Sequence, residues 1–427
     1  MSADRRQARH HLERLLSNRS LDELLAQLVP RFDEAPPKVP GGANVSDEAV
    51  QRRWELLPDA ADSRPELLDA DTDARKDSFK KNIEHFIGTV KIPVGLAGPL
   101  RIHGLFASGD YYVPLATTEA ALVASYSRGS HLLTEAGGCT AALLNEGICR
   151  APGFAFRNLR ESGMFVLWAT EHEDDFRRVA EATTRFGKLN DMRITIEGNH
   201  AYLCFEFWTA DASGQNMVTL ATEAICEYIE QHSPVKPQYH FIEANLSGDK
   251  KASAQSFLLV RGRKVSAEAV LSADLVQKRL RTTPEHMVNF WRMCAMGGIL
   301  SGTVGIQGHF ANGLAALYLA CGQDVACVAE SAVGVTRFEV IEGGDLYASV
   351  TLPNIMVGTI GGGTALPSQN ACLEILGLAG AGKAQALAEV CAGLCLAGEL
   401  SLMGAMCSGD FSRAHRLLAR GKQNKKG

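Results

Sequence analysis

Four polar residues stand in segments whose apolar pattern has no place for them, and their types together suit one kind of chemistry. Glu119 lies in PLATTEAALVAS, Lys250 in NLSGDKKAS, Asp324 in YLACGQDVACVAES and His415 in FSRAHRLL. An ammonium can stabilise a developing oxyanion, a carboxylic acid and an imidazole can deliver protons, and a second carboxylate can tune the other groups. Each residue also has a bland reading. Glu119, after Thr117 and Thr118 as caps, suits the first turn of a helix, where a negative charge complements the dipole. The small apolar run ALVAS beside it predicts a poorly solvated carboxyl, which suits a proton donor. Two adjacent lysines in a loop are ordinarily exposed, although Gly248 supplies a turn that aims Asp249, Lys250 and Lys251 off the preceding strand. Asp324 interrupts what reads as an apolar helix, so it is expected to be paired with a cation or functional. A histidine set among basic residues, as His415 is, ordinarily lies at the surface.

Two glycine-containing loops precede helices. DASGQNM (211–217) joins a strand-like stretch to a helix expected to start at Met217 or just beyond, where backbone amides can hold a phosphate. GTIGGGTALPSQ (358–369) lacks both the Gly-Lys-Ser/Thr of a phosphate loop and the GxGxxG of a dinucleotide fold, which disfavours a nucleotide hydrolase.

The elements that must position these groups follow from pattern. Leu12, Leu15, Leu16, Leu21, Leu24, Leu25 and Leu28 recur at helical spacing within residues 1–33, and APPKVPGGAN (35–44) breaks that pattern. A charged helical stretch around 47–70 follows, so residues 1–87 read as a helical N-terminal domain. The segment IGTVKIPVGLAGPLRIHG is expected to form a hairpin with YYVPLATTE. Between 152 and 241 the stretches MFVLWAT, DDFRRVAEATTRF, MRITIEG, AYLCFEFWTA and MVTLATEAICEYIEQH suggest a β-α-β-β-α order, a small ferredoxin-like sandwich inserted into a larger domain of residues 88–151 and 242–427. Beyond it the chain is rich in Ala and Gly, with long helical patterns at 284–330 and 383–419.

Length and charge exclude other classes. At 427 residues the chain holds two or three domains, and a formal net charge of −5 gives no electrostatic reason to bind nucleic acid or an anionic membrane. No uninterrupted apolar run reaches the roughly 18–20 residues of a membrane span, and the charged start lacks a signal peptide's apolar stretch. A soluble, cytoplasmic protein is expected. The eleven cysteines form no CxxC pair and no Cys/His cluster with zinc spacing. They are expected to be reduced and structural, and no metal is implied.

Read in order, IGTVKIPVGLAGPL, PLATTEAALVASYSRG, DASGQNM, GDKKAS, ACGQD, TLPNIMVGTIGGGTALPSQNACLEILG and AGELSLM resemble the successive signature segments of hydroxymethylglutaryl-CoA reductases, over about residues 82–427. The resemblance implies an α+β fold: a large α/β domain that binds the acyl-CoA, an inserted ferredoxin-like domain that binds the nicotinamide cofactor, and a helical N-terminal part. It also implies a homodimer or larger homo-oligomer with active sites between subunits. By matching position, the catalytic glutamate, lysine, aspartate and histidine fall on Glu119, Lys250, Asp324 and His415. Substrate-binding positions fall on Arg150, Asn245 and Lys251, and positions near CoA on Ser125 and Arg128.

The cofactor loop falls on Asp211, Gly214, Asn216 and Met217. TTRF, with Thr184, Arg185 and Phe186, resembles the segment that meets the adenosine 2′-phosphate, which favours NADPH. The implied reaction reduces hydroxymethylglutaryl-CoA to mevalonate and CoA. Two alternatives stand beside it: NAD-dependent oxidation of mevalonate, and an acyl-CoA-binding paralogue acting on a related substrate or without turnover. Departures from the family pattern include Glu243 where a substrate-binding serine is usual, Arg292 as the nearest cation to an expected lysine, and Ser213 and Gln215 where animal enzymes carry methionines. Gly421 replaces their phosphorylatable serine and no counterpart of their membrane anchor is seen in the sequence, so a soluble, prokaryotic-type member is expected.

Overall fold

Polar side chains start the helices of the first unit. Asp4 caps α1 (Arg5–Leu16), and Ser20 caps α2 (Leu21–Gln27) in a reciprocal box with Glu23. Ser46 caps α3 (Asp47–Trp54); the short α4 (Arg64–Leu67) follows, and Asp69 caps α5 (Ala70–Ala74). The structure, a computed structural model, describes residues 4–30 and 35–409, so His415 lies outside the described residues. The chain divides into two units, Met1–Thr89 and Val90–Gly427.

In the first unit, Val45, Val50, Trp54 and Phe86 form a small core with Leu67, Leu68, Phe79 and Ile87. Arg53 is buried beside it and donates to the carbonyls of Pro40, Gly42, Asn44 and Phe86, which pins the Pro/Gly-rich breaker to α3. α1 and α2 bury no residue, so most of their leucine stripe faces outward.

The second unit opens with the expected hairpin of β1 (Val94–Gly104) and β2 (Ser108–Ala116). There follow α6 (Leu122–Glu135), β3 (Cys139–Arg150), β4 (Gly153–Ala155), α7 (Leu159–Glu171), α8 (Glu173–Ala182), β5 (Lys188–Glu197), β6 (His200–Trp208), α9 (Gln215–His232) and β7 (Tyr239–Phe241). The remainder is β8 (Gly262–Leu271), α10 (Ala273–Leu280), α11 (Pro284–Ser301), α12 (Phe310–Ala320), α13 (Val328–Ser331), β9 (Val335–Val340), β10 (Leu346–Ile355), α14 (Pro367–Ile375) and α15 (Ala384–Ser408). The sheet runs β7-β4-β6-β3-β8-β10-β9, with β1 and β2 joined beside β3 and β5 beside β6.

β3 links the two halves of this sheet. Most of its length pairs with β8, while Ile148–Arg150 pairs with β6, which places Arg150 where the halves meet.

α15 is the structural axis of this unit. By length and composition it is the one described helix apolar enough to cross a membrane, yet it is buried by the protein on nearly every side. Close packing requires its small residues: a Cβ on Gly129 of α6 would lie 1.8 Å from the Ala397 carbonyl oxygen. Its buried Glu389 accepts from the N–H groups of Leu105, Phe106, Ala107 and Leu143, tying the hairpin turn and β3 to the axis.

Four expectations are corrected. MFVLWAT is not a strand: it lies within α7, where the Asn158 side chain caps the N–H of Glu161 and Phe165, Trp168 and Ala169 bury one face. α9 begins at Gln215, two residues earlier than Met217, because Gly214 adopts φ 76° and turns the chain into the helix. Asp324 is not on a helix. α12 ends at Ala320, Gly322 (φ 67°) reverses the chain, and Asp324 caps a short 3-10 turn. Finally, Cys149 and Cys204 are joined as a disulfide. Pairing of β3 with β6 brings these residues together across 55 positions, which no local spacing signals.

Candidate active site

Lys250 sits in the loop between β7 and β8, at a left-handed φ of 55°. Its Nζ lies 2.8 Å from Asp324 Oδ2, each side chain being about two-fifths exposed (40% and 39%). The hydrogen bond and charge of Asp324 raise the Lys250 pKa. Burial opposes ionisation of Asp324, but its bonds to Lys250 and to the Ala326 N–H outweigh that and hold its carboxyl below the usual range. The cation expected opposite Asp324 is therefore Lys250.

Beneath the loop lies a charge network absent from any local pattern. Arg150 Nη1 meets Asp249 at 3.1 Å and Glu243 at 3.4 Å. Arg261 meets Asp249 at 2.5 Å through Nη2 and Glu330 at 3.0 Å through Nη1. Glu243 also accepts from the Ala151 N–H and the Ser247 hydroxyl. Arg150 is thus shared between two carboxylates, Glu243 and Asp249. Lys251 donates to the Asp249 carbonyl at 2.8 Å, and Asn245 is exposed with φ 64°.

A second cluster gathers where α6, α12 and α15 meet. Glu119 precedes α6 rather than starting it, with its N–H bonded to Thr117 Oγ1. It is exposed, not poorly solvated, although Ala121, Leu122, Ala124 and Ser125 of ALVAS line the same cleft as it does. Its carboxylate accepts from Asn312 Nδ2 at 2.9 Å. Ser125 Oγ lies 2.9 Å from Ser401 Oγ, and Arg128 donates to the Ser401 side chain and carbonyl. Glu119, Ser125, Arg128 and Asn312 line a cleft of about 590 Å³. On its wall His309 stacks on Tyr126 at 5.0 Å, and burial lowers the histidine's pKa. Fully buried Glu399 accepts from the N–H groups of Gly308 and His309, and burial pushes its pKa up to about 7. Among the described residues, no hydrogen bond or ion pair joins Glu119 to Lys250 or Asp324. Arg292, on α11, donates to Asn289 at 3.4 Å.

The segments expected to hold a cofactor come together. Thr184 donates to Met217 Sδ at 3.1 Å and accepts from the N–H groups of Phe186 and Gly187. A Cβ on Gly214 would lie 2.3 Å from Thr209, so only glycine fits the entrance to α9, whose start has no side-chain cap. Arg185, Phe186 and Asn216 are exposed. Asp211 accepts from the N–H groups of Gly382 and Ala384, so it caps the approach to α15. The glycine-rich segment packs between this loop and the Asp324 turn: Thr359 N–H donates to the Asp211 carbonyl, and Gly358 N–H donates to the side-chain Oε1 of Gln323.

Residues 49–420 match the family model described as hydroxymethylglutaryl-coenzyme A reductase. The chain belongs to the hydroxymethylglutaryl-coenzyme A reductase family. The 3-hydroxy-3-methylglutaryl-coenzyme A reductase of Pyrococcus horikoshii is 46% identical over 348 residues, covering 80% of this chain and 84% of that protein. That of Methanothermobacter thermautotrophicus is 40% identical over 379 residues, covering 88% and 94%. A class II 3-hydroxy-3-methylglutaryl-CoA reductase structure from Streptococcus pneumoniae, bound to NADPH in open conformations, shares the α+β fold with a TM-score of 0.64 at 19% identity, covering 83% of this chain and 96% of that one. As a member of the hydroxymethylglutaryl-CoA reductase family, the chain is an oxidoreductase.

Sequence reasoning did not single out Asn312, Arg261 or Glu330. Asn312 had a signal, a lone amide within the apolar run HFANGLAALYLA. Glu330 had only its place six positions after Asp324, and Arg261 had none.

Proposed function

We propose that this chain reduces 3-hydroxy-3-methylglutaryl-CoA to mevalonate and CoA with NADPH, by two successive hydride transfers, in the mevalonate route to isoprenoids. The observation that carries the reading is the Lys250–Asp324 pair at 2.8 Å above the Arg150–Asp249 contact, in a chain of this family. Asp324 keeps Lys250 protonated and fixes its direction, so the ammonium stands ready for the oxygen of the thioester carbonyl as charge develops there. Arg150, Asn245 and Lys251 hold the acyl group; Ser125 and Arg128 hold the CoA portion. His415 protonates the departing CoA thiolate, and Glu119, oriented by Asn312, supplies the proton for the second reduction.

The cofactor's fit rests on the approach of TTRF to the uncapped start of α9, where Thr184 meets Met217 and no Cβ is tolerated at Gly214. When bound there, the reduced nicotinamide supplies hydride. Thr184, Arg185, Phe186, Asp211, Gly214, Asn216 and Met217 form its surroundings within an inserted ferredoxin-like domain of residues 152–241. Residues 88–151 and 242–427 form the catalytic domain, and residues 1–87 form a helical N-terminal domain. Exposed Arg185 is the donor for a 2′-phosphate, which disfavours the NAD-dependent reverse reaction.

The Glu119–Asn312 and Lys250–Asp324 clusters are two half-sites. Together with the exposed Met293, Met296, Ile299 and Leu300 on α11, they support a homodimer or larger homo-oligomer whose active sites lie between subunits. A cytoplasmic location completes the reading.

The test is NADPH oxidation that depends on added 3-hydroxy-3-methylglutaryl-CoA; no oxidation overturns the reading. Arg185→Ala is expected to raise KM for NADPH and leave NADH nearly unaffected. A charge-assisted bond of roughly 1.5–3 kcal/mol corresponds to about 10- to 150-fold. An equal effect on both cofactors assigns Arg185 to the fold instead.

A further inference from the structure

Lys250 is gripped at both ends by one short segment. Asp324 takes its ammonium, and six positions later Glu330, on α13, takes its backbone N–H at 3.3 Å. Glu330 is wholly buried, with 0% exposure, so a carboxylate there needs a counter-charge. Arg261 provides it, with Nη1 lying 3.0 Å from each carboxylate oxygen. Arg261 Nη2 holds Asp249, the residue before Lys250, so two consecutive loop residues depend on one buried ion pair. The pair is fixed in turn: the Arg261 N–H donates to Asn354 Oδ1, and Asn354 Nδ2 donates to Ser256. Lys250 carries a Cβ yet stands at φ 55°, a conformation disfavoured for such a residue and retained only where its surroundings enforce it. The turn itself is closed by the Lys251 N–H to the Gly248 carbonyl at 3.1 Å, and Glu330 adds a bond to the Lys250 amide from the protein interior.

We propose that Glu330 is a positioning residue for Lys250, paired with Arg261 and holding the Lys250 amide so that the ammonium meets both Asp324 and the reacting carbonyl oxygen. This rests on the reading of Lys250 as the group beside the developing alkoxide. Glu330 touches neither substrate nor cofactor and acts through the loop.

The groups facing Glu330 are Arg261 from the entry to β8, Asp249 and Lys250 from the loop, and Cys327 from the turn below. Burial is the largest effect on its carboxyl; Arg261 opposes it and Asp249 adds to it, and the outcome is a pKa raised to about 7. As pH falls through about 7 the carboxylate gains a proton and the ion pair with Arg261 weakens. Turnover is therefore expected to rise with pH across that point.

The test compares Glu330→Gln with the parent and with Lys250→Ala, using 3-hydroxy-3-methylglutaryl-CoA and NADPH. Glu330→Gln keeps the shape and removes the charge. Its kcat is expected to fall by about 10- to 100-fold, as misplacement of a reacting group does, with KM for NADPH unchanged. The rise in kcat near pH 7 should vanish, a loss that a merely structural residue would not produce. Should the single variant not fold, Glu330→Gln/Arg261→Gln leaves no unpaired buried guanidinium and should show the same loss of rate and of the pH limb. Parental kcat and pH profile in a folded variant, with Lys250→Ala inactive, overturn this inference alone. Parental turnover in Lys250→Ala overturns the reading of Lys250 and this inference with it.

Discussion

Lys250→Ala is expected to lower turnover of 3-hydroxy-3-methylglutaryl-CoA about 100- to 1000-fold, the usual cost of losing one preorganised partner of an oxyanion. The fold should survive. Lys250 is at the surface of a loop, and its partner Asp324 is exposed enough to be solvated once alone and keeps its cap on the Ala326 N–H. Alanine also tolerates the left-handed turn about as well as lysine does. The loss should therefore appear in kcat, with the thermal unfolding midpoint and KM for NADPH close to parental values. Near-parental turnover in a folded variant removes Lys250 from the mechanism.

His415→Gln is expected to separate the two reductions. His415 lies outside the described residues, and its proposed role rests on its chemistry and on the resemblance of the sequence to the family. A thiolate leaves only when the hemithioacetal of the first reduction collapses. Mevaldehyde carries no CoA and needs only the second hydride. General-acid catalysis contributes about 100- to 10,000-fold, so the variant's rate relative to the parent should fall by that order for the thioester and far less for mevaldehyde. Equal ratios reject the leaving-group role, and two ratios near one remove His415 from the mechanism.

The α+β class and the family were legible because the signature segments keep their order, and because period-two and period-3.6 patterns mark most strands and helices. MFVLWAT failed on local grounds: its apolar run fits a buried strand or a helix, and the decision lay upstream, in Asn158 capping Glu161. Asp324 was misplaced because Gly322 ends a pattern that otherwise continues through VACVA.

Within the site, residue types were readable but pairings were not. Lys250 and Asp324 meet through a loop and a turn whose approach is set by the sheet and by α12, and nothing near either residue names the other. The buried acids Glu330, Glu389 and Glu399 were not singled out from the sequence. Their partners, Arg261 and backbone N–H groups, become visible only once β8, the hairpin turn and the start of α12 are packed. The Cys149–Cys204 bond was hidden for the same reason, since it depends on which strands become neighbours.

The central claim is a double reduction of a thioester, and its most direct test is stoichiometry. Purified protein is given 3-hydroxy-3-methylglutaryl-CoA and excess NADPH, and oxidised cofactor is measured against free CoA thiol at completion. Two NADPH are expected to be oxidised for each thiol released, with mevalonate as the product and NADH a poorer donor. One cofactor per thiol, or thiol released without oxidation, would contradict it.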